Sequence, residues 1–176
     1  MPPEEGLALY AAASSVTGPL LEIGTYCGKS SIYLGAAARE MGTVLYTIDH
    51  HRGSEEMQSD WDHHDADVVD PGTGRMDSLP HFRRTIEGAG LEDVVIAIIG
   101  DSPVVAANWT TPIGFLFIVG PQLRPDGVLA IHDVFENPAD GGQGPFRVYE
   151  RARSEGFDDL STTGSLRVLR SPARAT

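Results

Sequence analysis

A chain of 176 residues is long enough to bury a substantial core as one domain. Its 25 acidic residues against 13 basic ones give a formal charge of −12. That balance opposes general binding to nucleic acid or to an anionic membrane, because phosphate would be repelled.

Cys27 is the sole cysteine, so no disulfide can close within the chain, as suits a reducing compartment. The opening MPPEEGLALYAAASSV carries Glu4 and Glu5 where a secretory leader would be positive. No apolar run approaches the roughly 20 residues of a membrane span. The expectation is a cytoplasmic protein of one domain, 1–176.

In chain order, a helix over Glu4–Ser15, within an N-terminal element of residues 1–18, precedes an apolar strand at Leu20–Gly24. A small-residue helix at Ser30–Glu40 and a strand at Val44–Asp49 follow. Residues 50–80 form a polar, acidic segment punctuated by Gly and Pro, too long for an ordinary connection and placed where a lid or dimer contact is expected. Then come a helix at Asp77–Gly88, a strand at Val94–Gly100, a helix at Pro103–Trp109, strands at Phe115–Val119 and Val128–Asp133, and a helix at Pro145–Ser154. Nearly continuous apolar strands alternating with helices predict a parallel sheet covered on both faces. The last piece, DDLSTTGSLRVLR, reads as a hairpin around Thr163-Gly164, with Leu166–Leu169 as a strand. The predicted fold class is α/β, a Rossmann-like doubly wound, mostly parallel seven-stranded sheet with an antiparallel C-terminal hairpin.

The stretch LLEIGTYCGKSS is the most informative. Gly24 and Gly28 flank a turn between strand and helix, where glycine permits tight backbone and close approach of a ligand. Ser30 or Ser31 is expected to cap the helix, whose free N–H groups face the ligand. Glu22, at the strand end, favours a cationic ligand over a pyrophosphate. Asp49 ends the second strand, 27 residues after Glu22, where a carboxylate can accept from both ribose hydroxyls. Gly100-Asp101-Ser102 ends the third, where a carboxylate can accept from an exocyclic amine. Three carboxylates on neighbouring strand ends suit a ligand with an amino group, a ribose and an adenine, and no phosphate.

Glu-x-Gly-x-x-x-Gly-x-Ser, the Asp after strand two and Gly-Asp-Ser after strand three together resemble class I S-adenosylmethionine-dependent methyltransferases. The closest likeness is to small O-methyltransferases of the catechol and macrocin type, over about Leu20–Leu169. The resemblance implies S-adenosyl-L-methionine as cofactor, with Glu22, Gly24, Thr25, Tyr26, Gly28, Ser30 and Ser31 around its methionine part. Asp49 would hold the ribose with His50 beside it, Asp101 and Ser102 would meet the adenine, and Tyr26 would cover the cofactor. It implies methyl transfer to a small-molecule acceptor, at a hydroxyl oxygen, with Mg2+ or another divalent cation as an aid, and a homodimer in common with many such enzymes. Asp133 is the expected metal or acceptor ligand. His132 is an alternative catalytic base, since strand alternation turns one of the two away.

One departure stands out. Val119–Gly127, nine residues, join Ile118 to Val128, whereas a parallel crossover takes a dozen or so with its helix. The expectation is that the sequence as written is about twenty residues short of such a crossover, so that a chain break lies near 118–120. A continuous chain would instead make Val119 a loss of the family's acidic residue at the fourth strand, and would favour a cofactor-binding sensor without catalysis.

His50-His51 and His63-His64 match no zinc framework, and solvated loop histidines are the expectation. Trp109 is expected to pack in the core or at an interface, and Trp61 has no assigned role. Cys27 is a small filler, with no partner base to activate it. A nicotinamide-dependent oxidoreductase is the competing enzyme, but the first turn lacks the middle glycine of Gly-x-Gly-x-x-Gly that admits a pyrophosphate.

Overall fold

The apolar runs become strands of a single large sheet. A computed structural model describes residues 1–53, 65–117 and 123–173. Helix α1 (Pro3–Ser14) leads into β1 (Leu20–Ile23), α2 (Lys29–Glu40) and β2 (Leu45–Asp49). A short 3-10 turn (Ala66–Val68) and a two-residue ribbon, β3 (Val69–Asp70) with β4 (Arg75–Met76), give structure to a segment the sequence leaves without elements. Then follow α3 (Leu79–Gly88), β5 (Val95–Ile99), α4 (Ser102–Ala107), β6 (Ile113–Phe117), β7 (Leu123–Ile131), α5 (Gly144–Ser154), β8 (Asp158–Thr163) and β9 (Leu166–Arg170).

The sheet runs β5-β2-β1-β6-β7-β9-β8. Its first five strands are mutually parallel, and β9 pairs antiparallel with both β7 and β8. This is the predicted architecture, including the hairpin at the sheet's edge. Alternation sorts the strand residues onto two faces. Leu20, Leu45, Phe115, Phe117 and Ala130 pack with Leu9 and Ala13 of α1 and Leu34 of α2. Leu21, Ile48, Leu116, Ile131 and Leu169 pack on the other face with Ala152 of α5 and the partly buried Trp109. Fully burying each leucine, isoleucine or phenylalanine among them contributes about 1.5–3 kcal/mol. Trp109 makes an edge-on contact with Tyr46 at 5.1 Å and donates its indole N–H to the Thr111 carbonyl at 2.7 Å, the packing role expected of it.

Strand β7 begins five residues earlier than its apolar run suggests, with Leu123 beside Ile113 across a register irregularity. Its pairing with β6 is parallel, which brings His132-Asp133 to the same edge as the ends of β1 and β2. The break expected near 118–120, the acidic position at Val119, and Trp61, His63 and His64 all lie outside the described residues. Among the described residues no helix is long and apolar enough to cross a membrane.

Candidate active site

Register fixes the site's floor. Glu22 lies level with Thr47 of β2 and Phe117 of β6, and Phe117 is level with Ala130 of β7. The turn after Ile23, Asp49 and Asp133 therefore crowd onto the carboxyl edge of the sheet, where open α/β folds bind ligands.

The two glycines of the first turn differ in purpose. Both adopt left-handed backbone, φ 82° at Gly24 and 88° at Gly28. A Cβ at Gly24 would meet nothing within 4 Å, leaving its face open for a ligand. At Gly28 it would come within 3.0 Å of the Phe82 ring and 3.3 Å of Thr85, so this glycine admits helix α3 instead.

Helix α2 starts at Lys29 with Gly28 as its N-cap and no side-chain cap. The expected capping by Ser30 or Ser31 is corrected here. Both hydroxyls donate to Glu22, one to each carboxylate oxygen. Glu22 is fully buried and turns to the serines beneath the turn. Burial pushes its carboxyl up to about 7, the two hydroxyls oppose that rise, and the charge of Asp49 adds to it.

Asp49 stitches the rim together. One oxygen accepts the Tyr26 N–H at 2.8 Å and the other the His51 N–H at 2.7 Å. A carboxylate offers about four acceptor positions, so each oxygen keeps capacity for a further donor. Tyr26 and His51 both have positive φ, 51° and 58°, backbone that non-glycine residues adopt at a cost of about 1–2 kcal/mol. Among the described residues four non-glycine positions do so, and Asp133, at 58°, is another of them on this edge. Such strain concentrates at functional sites. The Tyr26 hydroxyl donates to Asp65 at 2.8 Å, tying the turn to the middle of the long segment. His51 is buried, its Nδ1 2.8 Å from Ser78 Oγ and its ring against Phe82, so the two ends of the 50–80 segment are joined. Burial lowers the His51 pKa, with Asp49 and Asp77 opposing. His50 is exposed and accepts the Arg52 N–H at 3.0 Å. Burial raises the Cys27 thiol, in keeping with a filler.

Asp101 sits after β5 as the N-cap of α4, its carboxylate accepting the Val104 N–H at 3.3 Å, with Ser102 as the first helical residue. The Gly100 N–H donates to the Asp49 carbonyl, linking the two strand ends.

Beyond β7, His132 and Asp133 diverge as alternation requires. The Asp133 side chain is 61% exposed, while the His132 ring is buried on the face covered by α1. His132 Nε2 donates to Glu5 Oε2 at 2.6 Å, and Nδ1 lies 2.9 Å from Asp133 Oδ1. With both ring nitrogens engaged, the expectation of His132 as the base is replaced by a supporting position behind Asp133. Burial would lower the His132 pKa, but its bonds to Asp133 and Glu5 prevail and raise it. The His132 hydrogen bond holds Asp133 below the ordinary carboxyl value. Burial works to raise the Glu5 carboxyl, yet bonds from His132 and Ser165 bring it below its usual value.

Glu5, Asp65 and Ser78 are site-supporting residues that sequence reasoning passed over. For Glu5 a signal existed: it shares the buried stripe of α1 with Leu9 and Ala13, at helical spacing. Asp65 and Ser78 carried no comparable mark.

The residues present fit an adenosine cofactor on one further observation. Thr25 Oγ1, on the residue that follows Gly24, is buried and makes no hydrogen bond among the described residues. Among those residues no group of three or more His, Cys, Asp or Glu gathers as a metal site.

The sheet order and this rim define the class I methyltransferase fold. A family model described as a methyltransferase domain matches residues 21–121, and the chain belongs to that family of S-adenosylmethionine-dependent enzymes. Solved structures share the fold. The O-methyltransferase TomG from Streptomyces achromogenes, in complex with SAM, is 18% identical with a TM-score of 0.62, covering 97% of this chain and 81% of its own. An O-methyltransferase from Bacillus cereus in complex with SAH is 21% identical, TM-score 0.61, covering 97% and 82%. An rRNA methylase from Streptococcus thermophilus is 12% identical, TM-score 0.57, covering 98% of both chains.

Proposed function

We propose that this chain transfers the methyl group of S-adenosylmethionine to a hydroxyl oxygen of a small-molecule acceptor in the cytoplasm. The observation that carries the reading is the ligand-open turn at Gly24 on the same sheet edge as the exposed carboxylate of Asp133, with only β6 between their strands. When bound, the cofactor supplies an electrophilic methyl on a positively charged sulfur. Gly24 lets its methionine part approach the backbone, the unpartnered Thr25 hydroxyl offers it a hydrogen bond, and Asp49 accepts from the ribose hydroxyls. Asp101, exposed at the next strand end, is in line for the adenine amine. Asp133 takes the acceptor's hydroxyl proton, directly or through water, while the site aligns oxygen and methyl for in-line displacement.

The fold alone does not choose the acceptor, since an rRNA methylase shares it. The formal charge of −12 supports a small molecule over RNA. Calorimetry with S-adenosylhomocysteine and with NADH is the first test: heat is expected with the former only. Methyl transfer from labelled cofactor to 3,4-dihydroxybenzoate and a panel of hydroxylated small molecules comes next, with added Mg2+ and with chelator, which reads out any contribution of a divalent cation at Asp133. Asp133→Asn is expected to lose at least about a hundredfold in turnover, in keeping with removal of a general base. Binding of the dinucleotide alone, or undiminished transfer by Asp133→Asn, would overturn the reading.

A further inference from the structure

Helix α1 reaches the active edge from the opposite end of the sequence. Glu5 is 2% exposed, an unusual burial for an acidic side chain in the first turn of a helix. Every oxygen of its carboxylate is engaged. Oε1 accepts the Ser165 N–H at 2.6 Å and the Ser165 hydroxyl at 3.0 Å, and Oε2 accepts His132 Nε2 at 2.6 Å. The β8–β9 turn is shaped to receive it. Gly164 has φ 54°, and a Cβ there would stand 2.3 Å from Glu5 Oε1, so the glycine leaves the space the carboxylate fills. The Ser165 carbonyl in turn accepts the Val134 N–H at 3.1 Å, so the same turn also grips the chain directly after Asp133. The Phe117 ring lies tilted beside that of His132, with centroids 6.5 Å apart.

Asp133 needs such support. Its backbone is left-handed and its side chain mostly exposed, so nothing intrinsic holds the carboxylate in one rotamer. His132 Nδ1 supplies a hydrogen bond, but only if the ring is kept from turning about χ2. A ring tethered at one nitrogen can swing; a ring tethered at both cannot. The second tether is Glu5, 127 residues away in the chain.

We propose that Glu5 is a positioning residue for methyl transfer: by locking His132 between α1 and the β8–β9 turn, it fixes the carboxylate of Asp133 in the orientation that meets the acceptor. This inference rests on the reading of Asp133 given above. It assigns a function to α1 beyond packing, since the helix delivers a polar side chain to the active edge from the far face of the sheet.

The test compares Glu5→Leu, which keeps volume and removes the tether, with Glu5→Gln, whose amide can donate to His132 Nε2 while its oxygen accepts from Ser165. Turnover of 3,4-dihydroxybenzoate is expressed per S-adenosylhomocysteine-binding site measured by calorimetry, so unfolded protein does not count. Crystal structures of both variants are solved with S-adenosylhomocysteine. The expected result for Glu5→Leu is a kcat at least about tenfold lower, cofactor KM within about twofold of wild type, and an Asp133 carboxylate withdrawn from His132 Nδ1. Glu5→Gln is expected to recover kcat to within about threefold. Should Glu5→Leu fail to bind the cofactor product, Glu5→Ala, which admits water to the site, takes its place. Wild-type kcat per binding site in the Leu variant, or an unmoved Asp133 in its crystal structure, would overturn the proposal. If wild-type protein methylates none of the acceptors, the hydroxyl-transfer reading fails by itself, and the crystal structures alone then decide the role of Glu5.

Discussion

Replacing Glu22 by Gln probes the energetics of the cofactor turn. The carboxyl is wholly buried, and its pKa rises from an ordinary 4.5 to about 7. The folded state therefore holds this proton more tightly than the unfolded chain. The resulting stability is fully present below about 4.5 and is lost as pH rises through about 7. At about 1.4 kcal/mol for each pH unit between those values, the loss approaches about 3 kcal/mol by pH 8. Gln is neutral throughout and nearly isosteric; its oxygen accepts one serine hydroxyl and its amide donates to the other, so the short network with Ser30 and Ser31 persists. Urea unfolding of both proteins from pH 5 to pH 8 supplies the assay. Taking the difference cancels the titration of every other group. Glu22→Gln should gain on wild type steadily with rising pH, most steeply between pH 5 and 7. A difference independent of pH, or one running the other way, would refute the claim that a buried, proton-holding acid underlies this turn.

Three further substitutions separate binding from folding. Gly24→Ala projects a methyl into open space on the ligand side, so S-adenosylhomocysteine affinity should fall by about tenfold, equivalent to about 1.4 kcal/mol, beside a stability loss of about 1–2 kcal/mol from the left-handed backbone. Gly28→Ala drives a methyl against Phe82 in left-handed backbone and should cost about 1–3 kcal/mol in urea unfolding, with binding per folded molecule little changed. In Asp49→Asn one of the two backbone N–H groups, from Tyr26 or His51, loses its acceptor. The cost should be about 1–3 kcal/mol in stability, with a marked loss of cofactor affinity by calorimetry.

Much of this protein was determined by local sequence. Continuous apolar runs such as Ile113–Phe117 specify buried parallel strands, because both faces of such strands lose water. The ordered spacing of Glu22, Gly24, Gly28, Asp49 and Asp101 marks the carboxyl edge, because these residues lie at the ends of apolar strands or in the turns just after them, and a strand's end needs no distant partner to be recognised. Other features were decided only by tertiary structure. Gly24 and Gly28 look alike in the chain, yet one faces open space and the other Phe82, a residue 54 positions downstream of Gly28. Ser30 and Ser31 look like helix caps until the fold places them inside the first turn of α2, after the Gly28 N-cap, and brings the buried Glu22 carboxyl to accept from both hydroxyls. The link from Glu5 through His132 to Asp133 joins residues 127 positions apart in the chain. Periodicity assigns a side chain to a face; the polar partner it finds there depends on which distant segment packs against that face, and only the folded chain settles that.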